Sequence, residues 1–233
     1  KGWRDGNDVV KRMRMDIQNI IEGSIPVPEV RFDVTGDVID IGRYVAGEPE
    51  DMMYLEDTGV TRPAYLAKVV RLVYNIGISG AVSARTVLLR GAAVIVLVDT
   101  LEKHGVRVEL DLGFAVTNRI TNGETVEYYL RLKDSAQHAS VEKLSFYLAN
   151  IASIRRLFFA LMEHEDDATR KRFGIGRDNG GSQGFPGVLS EQGDIYVDRI
   201  LSNTDWSQAF TMLWLRHTLT KQGINLTYLA EEK

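Results

Sequence analysis

The chain contains 233 residues, of which 44% are hydrophobic and 26% are charged. This is the composition of a folded globular protein, which excludes a largely disordered, collagen-like or coiled-coil chain. The absence of cysteine excludes disulfide bonds, thiolate nucleophiles and cysteine-ligated zinc, and it suits a reducing cytoplasm. The net charge of -4 excludes a uniformly basic nucleic-acid-binding protein but allows a locally basic surface.

Residues 1–60 predict an N-terminal helix followed by an irregular extension. Apolar residues recur at three- and four-residue spacing over residues 7–21, which predicts an amphipathic helix. Short extended segments are expected at residues 30–34 and 52–55. Residues 47–57 contain five acids and no base. This acidic segment would repel nucleic acid, and it suits a basic protein partner.

The middle of the chain predicts a strand, a helix and a hairpin. Residues 65–76 contain an almost continuous apolar run, which is typical of a strand covered on both faces. Residues 83–104 are apolar nearly all round and predict a deeply packed helix. Residues 106–116 and 125–133 alternate apolar and polar side chains. With Asn122-Gly123 between them, they predict an antiparallel hairpin with one wet face.

The second half continues the alternation of helices and strands. Strand–helix–strand units require right-handed crossovers and favour an open α/β sheet. The sequence therefore predicts a single α/β domain over residues 1–233, with a mixed, mainly parallel sheet, helices on both faces and an antiparallel edge hairpin. The remaining elements are helices at 140–150, 151–165 and 205–222, strands at 195–197 and 224–228, and a glycine-rich loop at 173–187.

The segment Asn75-Ile76-Gly77-Ile78-Ser79, which follows the first strong strand, resembles part of a von Willebrand factor A domain. That family carries an Asp-x-Ser-x-Ser metal motif at this position, and Thr204-Asp205-Trp206 resembles its later Thr-Asp-Gly. Here Asn75 and Gly77 replace the aspartate and the first serine, so the anionic ligand that a hard cation prefers is missing. The resemblance implies a protein-interaction module that has lost its metal, and we expect neither a metal nor a cofactor.

Enzymatic and membrane functions are not expected. The four histidines lie outside zinc-binding motifs, and the chain contains no G-x-S-x-G nucleophile elbow. The glycine-rich loop follows a helix and lacks the lysine–serine pair of a phosphate-binding loop. The most apolar stretch, residues 82–101, is interrupted by Arg85, Arg90 and Asp99, so no membrane span is predicted. A metal-dependent enzyme with a divalent cation near Ser79 remains one alternative.

Basic residues with neighbouring aromatic residues suggest a nucleic-acid-binding surface. Residues 170–177 carry four positive charges and no acid, and they open the glycine-rich loop. Arginine and aromatic side chains are the groups that hold single-stranded nucleic acid. Taken singly, each basic cluster is better explained as an ordinary solvated surface. The candidate DNA-binding residues are Arg170, Lys171, Arg172, Phe173 and Arg177, with Tyr129, Arg131 and Lys133 on the hairpin, and Lys11, Arg12 and Arg14 form a further basic cluster.

Two segments, Trp3-Arg4-Asp5-Gly6 and residues 36–49 with their G-R-Y-x-x-G-E-P sequence, resemble a domain widespread in tailed-phage proteins. The chain resembles in particular the Drc-like single-stranded DNA-binding RNA-polymerase cofactors of bacterial viruses. The resemblance implies binding of single-stranded DNA, an RNA-polymerase partner and a location in the cytoplasm of the infected bacterial host. It supplies no binding residues, so the basic positions above rest on charge and spacing alone.

Overall fold

The structure, a computed structural model, describes residues 11, 12, 15, 18, 29–36, 38–56, 68–118, 123–138, 140–175 and 184–224. The strands are β1 (Glu29–Asp33), β2 (Val38–Ile39), β3 (Met52–Glu56), β4 (Val69–Asn75), β5 (Arg107–Thr117), β6 (Thr125–Lys133), β7 (Phe185–Pro186) and β8 (Ile195–Val197). The helices are α1 (Ile41–Ala46), α2 (Ala84–Lys103), α3 (Val141–Ala149), α4 (Phe159–Glu163), α5 (Asp167–Phe173) and α6 (Gln208–Lys221). A π-helical segment, Ser153–Phe158, leads directly into α4.

Some predicted features lie partly or wholly outside the described residues. Of the helix predicted over 7–21, the structure describes four residues, and all four are helical. Asn122 and Arg177 lie outside the described residues, as do residues 225–228 of the predicted final strand. These predictions therefore stay predictions.

Residues 29–56 hold a small antiparallel sheet where the sequence predicted an irregular extension. The strands lie in the order β1-β3-β2, and Asp33 pairs with Met52 at the end of β1. The two extended segments predicted at 30–34 and 52–55 are confirmed. Sequence patterns missed the rest, because β2 has only two residues and α1 only six.

The main sheet has five strands and is mixed, as predicted. Its central order is β6-β5-β4-β8, and β7 pairs with β5 beyond the end of β4. Strand β4 runs parallel to β5 and to β8, whereas β6 runs antiparallel to β5. The α/β fold, the parallel pair joined through the buried helix and the antiparallel hairpin are confirmed.

The hairpin between β5 and β6 differs from the prediction at the end away from its turn. Near the turn, the backbone N–H of Asn118 donates to the Glu124 carbonyl at 2.9 Å, so the two chain segments stay paired beyond Thr117 and Thr125. At the other end the register shifts: Leu110 pairs with Lys133, but Asp111 pairs with Arg131. This β-bulge reverses the alternation of side chains, since a one-residue shift moves a side chain to the opposite face.

The buried apolar side chains form two clusters, a larger core and a smaller one. Helix α2 is the centre of the larger core, and Gly91 allows α3 to approach it closely. A Cβ atom on Gly91 would lie 2.6 Å from the Ala149 Cβ and 2.7 Å from the Leu148 carbonyl oxygen. The hydroxyl of Tyr74, on β4, donates to that same carbonyl at 2.8 Å. The deeply packed helix predicted at 83–104 is therefore confirmed, and a glycine sets the distance between α2 and α3.

We expect Gly91→Ala to destabilise the protein by about 1–2 kcal/mol, although alanine favours helices. The added methyl group would meet three atoms within 2.7 Å, two of them backbone atoms. Overpacking costs about 1–3 kcal/mol, and the upper part of that range, about 2–3 kcal/mol, applies to such rigid contacts and exceeds the gain in helix propensity of about 1 kcal/mol. The measurement is urea denaturation. Gly80→Ala is the control, because a Cβ there meets nothing within 4 Å. Equal stability of the two variants would contradict this packing.

Among the described residues, a loop covers the second face of the main sheet, where the sequence predicted helices. The helices of the larger core pack against the face that carries Leu72 and Tyr74. Leu189 packs with Val73 and Ala115 on the opposite face. It lies over Gly113, where a Cβ would be only 2.2 Å from a Leu189 methyl carbon. A glycine in β5 thus makes room for a loop side chain.

Candidate functional site

The basic run at 170–172 forms the last turn of α5, not the start of a loop. The Asp166 carboxylate begins this helix by accepting the backbone N–H groups of Ala168 and Thr169. Gly174, with a φ of 68°, ends it. Three cations in a last turn stabilise a helix, because the C-terminal end carries partial negative charge. A structural role therefore explains this cluster.

Ion pairs within the fold bind two of these three cations. Arg172 makes a two-pronged ion pair with Glu124, with one nitrogen–oxygen distance of 2.7 Å. Arg170 lies 3.6 Å from Asp167. Lys171 is exposed, and Phe173 packs against the larger core. Of the four predicted DNA-binding residues on α5, Lys171 alone is an exposed cation outside these ion pairs.

On the hairpin, Arg131 is surrounded by carboxylates. It bonds to Asp111 and lies 3.1 Å from Glu109 and 3.4 Å from Asp134. Arg71 bonds to the other side of Asp111 at 2.7 Å. Burial raises the pKa of Asp111, but the hydrogen bonds from Arg131 and Arg71 outweigh burial and hold that pKa below its ordinary value. The arrangement is a charge network that holds strands together.

Tyr129 anchors the loop that covers the second face of the sheet. Its hydroxyl donates to Glu127 at 2.7 Å and accepts the backbone N–H of Glu191 at 3.1 Å. Glu127 also accepts the hydroxyl of Ser190 at 2.7 Å. Burial and the bond to Glu127 raise the pKa of Tyr129. The polar groups of this tyrosine are therefore used within the fold, although its ring is partly exposed.

The prediction that Lys133 lies on the wet face of the hairpin is wrong. The β-bulge turns Lys133 toward α2, where only 3% of its side chain is exposed. Its ammonium group lies 2.5 Å from Glu102 and donates to the Val108 carbonyl at 2.8 Å. Lys133 thus faces away from Arg131, and the two cannot bind one strand of nucleic acid on a common surface.

The end of β4, where the sequence resembles a metal motif, does not fit a divalent cation. The Asn75 side-chain oxygen accepts the N–H of Gly77 at 2.9 Å, and its amide donates to the Gly187 carbonyl and the Tyr196 hydroxyl, both at 3.0 Å. Its backbone carbonyl accepts from the buried Arg90 guanidinium, whose charge opposes a cation there. Across the described part of the chain, His, Cys, Asp and Glu side chains form no group of three that could hold a metal.

Helix α1 presents an apolar stripe to solvent. The Asp40 carboxylate begins the helix by accepting the backbone N–H of Arg43, and Gly47, with a φ of 73°, ends it. The Arg43 guanidinium lies 4.0 Å from the centroid of the Phe32 ring on β1, which turns that side of the helix toward the small sheet. Ile41, Tyr44 and Val45 follow one another at spacings of three and four residues from Ile41, which places them together on the opposite side of the helix.

These outward side chains are Ile41, Tyr44 and Val45, which we call the α1 patch. Their exposed fractions are 73%, 63% and 79%. No residue of α1 is buried. Single exposed apolar residues are common, but several on one helix face form a contiguous surface of the kind found at protein interfaces. Sequence reasoning missed this patch although the spacing was visible, because a stripe of this kind ordinarily predicts a core face.

Acidic residues follow the α1 patch along the chain. Arg43 pairs with Glu48 at 3.1 Å and donates to the Glu50 carbonyl at 2.9 Å, and the N–H of Asp40 donates to the Asp51 carbonyl at 2.7 Å. These bonds hold the segment that carries Glu48, Glu50 and Asp51, the acidic rim, beside the helix. Because Arg43 lies on the side of the helix opposite the α1 patch, its bonds to Glu48 and Glu50 lie on that side as well.

No helix among the described residues is long and apolar enough to cross a membrane. Comparison with curated proteins found no match, and comparison with solved structures found none either. One family model, the domain of unknown function DUF7192, matches residues 1–226. Since this match includes the small sheet, the main sheet and the described helices, the chain belongs to the DUF7192 family.

Proposed function

We propose that the protein is a non-enzymatic protein-interaction module and that the α1 patch is its binding surface. The observation that carries this proposal is the exposure of Ile41, Tyr44 and Val45 on one side of a helix whose other side is held to the small sheet by Arg43. Covering such side chains with a partner releases water from apolar surface, which is the main favourable term in protein association.

The positions of the basic residues support this proposal over the binding of single-stranded DNA. Arg131 and Arg172 are neutralised by carboxylates, and Lys133 is buried against α2. A polyanion would have to displace those carboxylates to reach the guanidinium groups. An RNA-polymerase partner and a phage cytoplasmic setting stay expectations of the resemblance described above.

We expect the triple variant Ile41→Ser, Tyr44→Ser, Val45→Ser to lose its partner while it keeps its fold. Exposed substitutions shift stability by only about 0.5 kcal/mol, so thermal unfolding should change little. The measurement is affinity capture from a lysate of the source organism. The control variant replaces Leu157, Leu161 and Leu213, which are exposed apolar residues outside the patch, with serine. A partner that wild type and control retain, and the patch variant loses, is the expected result.

Two outcomes would overturn the proposal. One is capture that is the same for all three proteins. The other is binding of single-stranded oligonucleotides that weakens steeply with salt, by about 0.7 in log affinity per log salt unit for each phosphate contact, and persists in the patch variant. Fluorescence anisotropy at two salt concentrations measures this second outcome. Lys171→Ala then tests whether the exposed lysine of α5 makes a phosphate contact.

A further inference from the structure

We propose that the start of helix α2 binds an oxyanion of the phosphate type, at a site that uses no residue of the α1 patch and does not rest on the proposed function. Three features coincide at the carboxyl edge of the main sheet: two helix N-termini, an exposed first turn without acids, and a buried arginine whose guanidinium group lacks hydrogen-bond partners. Open α/β sheets bind their ligands at this edge.

Two long helices begin at the same edge of the main sheet. Strands β4 and β8 run parallel, and the chain passes from β4 into α2 and from β8 into α6. The two connections are bonded to each other: the Ser79 N–H donates to the Ile200 carbonyl at 2.9 Å, and the Ser83 N–H donates to the Asn203 side chain at 2.7 Å. Because a helix N-terminus carries partial positive charge, the positive ends of α2 and α6 lie at one edge.

The first turn of α2 is open to solvent and contains no acid. Ser83, Ala84 and Arg85 are exposed. The Ser83 hydroxyl oxygen accepts the Thr86 N–H at 3.2 Å, whereas the N–H groups of Ala84 and Arg85 have no acceptor within the helix. Backbone N–H groups at a helix start, together with an arginine side chain, are typical ligands of a phosphate group.

The buried side chain of Arg90 supplies an observation that is independent of the helix ends. It is fully buried, and a helical arginine extends toward the N-terminus of its helix. Its Nη2 donates to the Asn75 carbonyl at the end of β4, but Nε and Nη1 have no hydrogen-bond partner in the described part of the chain. Its guanidinium carbon lies 4.1 Å from the centroid of the Tyr74 ring and 6.0 Å from that of Trp206, the residue before the cap of α6. The guanidinium group thus points to the edge at which both helices begin.

The positive charge of Arg90 is incompletely balanced by the acids around it. Burial lowers the pKa of the guanidinium group, and the charges of Asp198 and Asp205 oppose that shift without cancelling it. Asp205 accepts the N–H groups of Leu201 and Ser202, both at 2.9 Å, so its carboxylate is held within its own loop. A buried charge without a close partner is unfavourable. An anion at the start of α2 therefore compensates a charge that the fold leaves without a close counter-charge.

The available donors select a compact anion with several oxygens. Two phosphate oxygens can accept the N–H groups of Ala84 and Arg85, and a third can accept the Arg85 guanidinium group. Arg90 attracts the anion from within the protein, where the low dielectric strengthens the effect of its charge. Chloride carries a single charge, so we expect it to bind much more weakly. Free phosphate and a small phosphomonoester share this chemistry.

Isothermal titration calorimetry with sodium phosphate measures the binding, at neutral pH and at an ionic strength that sodium chloride keeps constant. We expect saturable binding of phosphate. At about ten times the measured dissociation constant, phosphate should raise the unfolding temperature by about 3–6 °C. Glycerol phosphate is the second titrant. If it binds as phosphate does, the ligand is a phosphomonoester, and if it does not bind while phosphate does, the ligand is free phosphate.

The variant Ala84→Glu tests the position of the site. Its carboxylate would take the place of the anion at the helix end and should weaken phosphate binding about tenfold. Ala84 is exposed, so this variant should keep its fold. The control variant Ala168→Glu places the same charge in the exposed first turn of α5 and should bind phosphate as wild type does. Equal weakening by both variants would overturn the site, because general repulsion by added negative charge would then explain it.

The variant Arg90→Met tests the buried charge. It should bind phosphate about tenfold more weakly, so the phosphate concentration used for wild type should raise its unfolding temperature by only about 1–2 °C. If Arg90 serves packing alone, the variant unfolds at a lower temperature but gains as much from phosphate as wild type does, and the role of Arg90 is wrong. Absence of saturable phosphate binding by wild type, or wild-type affinity in Ala84→Glu, would overturn the whole proposal even if Arg90→Met does not fold.

Discussion

Lys133→Met should destabilise the protein by about 3 kcal/mol, because removing one partner of a buried ion pair leaves the other charge without compensation. The Lys133 ammonium group lies 2.5 Å from Glu102 and also donates to the carbonyls of Val108 and Asp134, at 2.8 and 3.2 Å. Methionine fills a similar volume but satisfies none of these groups. Thermal unfolding should occur about 6–12 °C lower, given about 2–4 °C per kcal/mol for a chain of this size.

Two further variants identify the ion pair as the cause. Lys103→Met removes a half-exposed lysine at the end of α2, next to Glu102 in the chain and 3.4 Å from Asp99. This change should cost at most about 1 kcal/mol. The double variant Lys133→Met, Glu102→Leu should regain much of the lost stability, since an apolar pair replaces a buried ionic one at little cost. If Lys133→Met is as stable as Lys103→Met in urea denaturation, the buried position of Lys133 is wrong.

Asp111→Asn should cost about 2 kcal/mol at neutral pH. The Asp111 side chain is 5% exposed and accepts hydrogen bonds from both Arg71 and Arg131. Hydrogen bonds to charged groups contribute about 1.5–3 kcal/mol each, and the partial exposure of the two arginines reduces their joint effect through solvent screening. Asparagine keeps the shape and removes the charge. Urea denaturation of the two proteins at neutral pH measures the difference.

The difference between wild type and Asp111→Asn should shrink in acid. The pKa of Asp111 is lower in the folded protein than in the unfolded chain, where it is about 3.9. Its contribution to stability is therefore complete above about pH 5 and is lost as the pH falls through the folded pKa. Asp134→Asn is the control, because this carboxylate is 57% exposed and lies 3.4 Å from Arg131. A difference that stays constant down to about pH 3 would contradict the network.

Strong periodic patterns in the sequence predicted the centre of the fold. The apolar run at 69–74 favours a buried strand and the apolar stretch at 83–104 favours a buried helix, because few other structures would bury so many apolar side chains. The alternation over 106–116 and 125–133 likewise predicted a hairpin. These elements form most of the main sheet and its largest helix.

The orientation of particular side chains was not predictable in the same way. Lys133 continues the alternation of β6 in the sequence, and only the register shift beside Asp111 reveals that it faces α2. A β-bulge depends on the partner strand, so alternation within one strand does not report it. The loop over the second face was missed for a related reason: Gly113 reads as a weakness in a strand, while its effect is to admit Leu189.

The candidate site was hidden by tertiary structure. Ile41, Tyr44 and Val45 have the spacing of a buried helix face, and their exposure depends on where Arg43 and Phe32 place the helix. The positive charges at 170–172 indicated a ligand-binding site in the sequence. In the structure, however, Arg172 is neutralised by Glu124, which lies 48 residues earlier in the chain. Sequence spacing reveals neither relation, because each joins residues from separate elements.

The inward lysine of β6 also bears on how the protein avoids self-association. In the order of the described strands of the main sheet, β6 is the outermost at one end, so its outer backbone groups can pair with a strand of another molecule. The bulge interrupts the regular spacing of those groups near Lys133, and a strand that shifted its register would separate the buried Lys133 charge from Glu102. Natural sheets use both devices to block fibril growth from an open edge. Loss of Lys133 should therefore increase aggregation on mild heating by more than the lost stability alone accounts for, and light scattering at matched distances below each unfolding midpoint measures this increase.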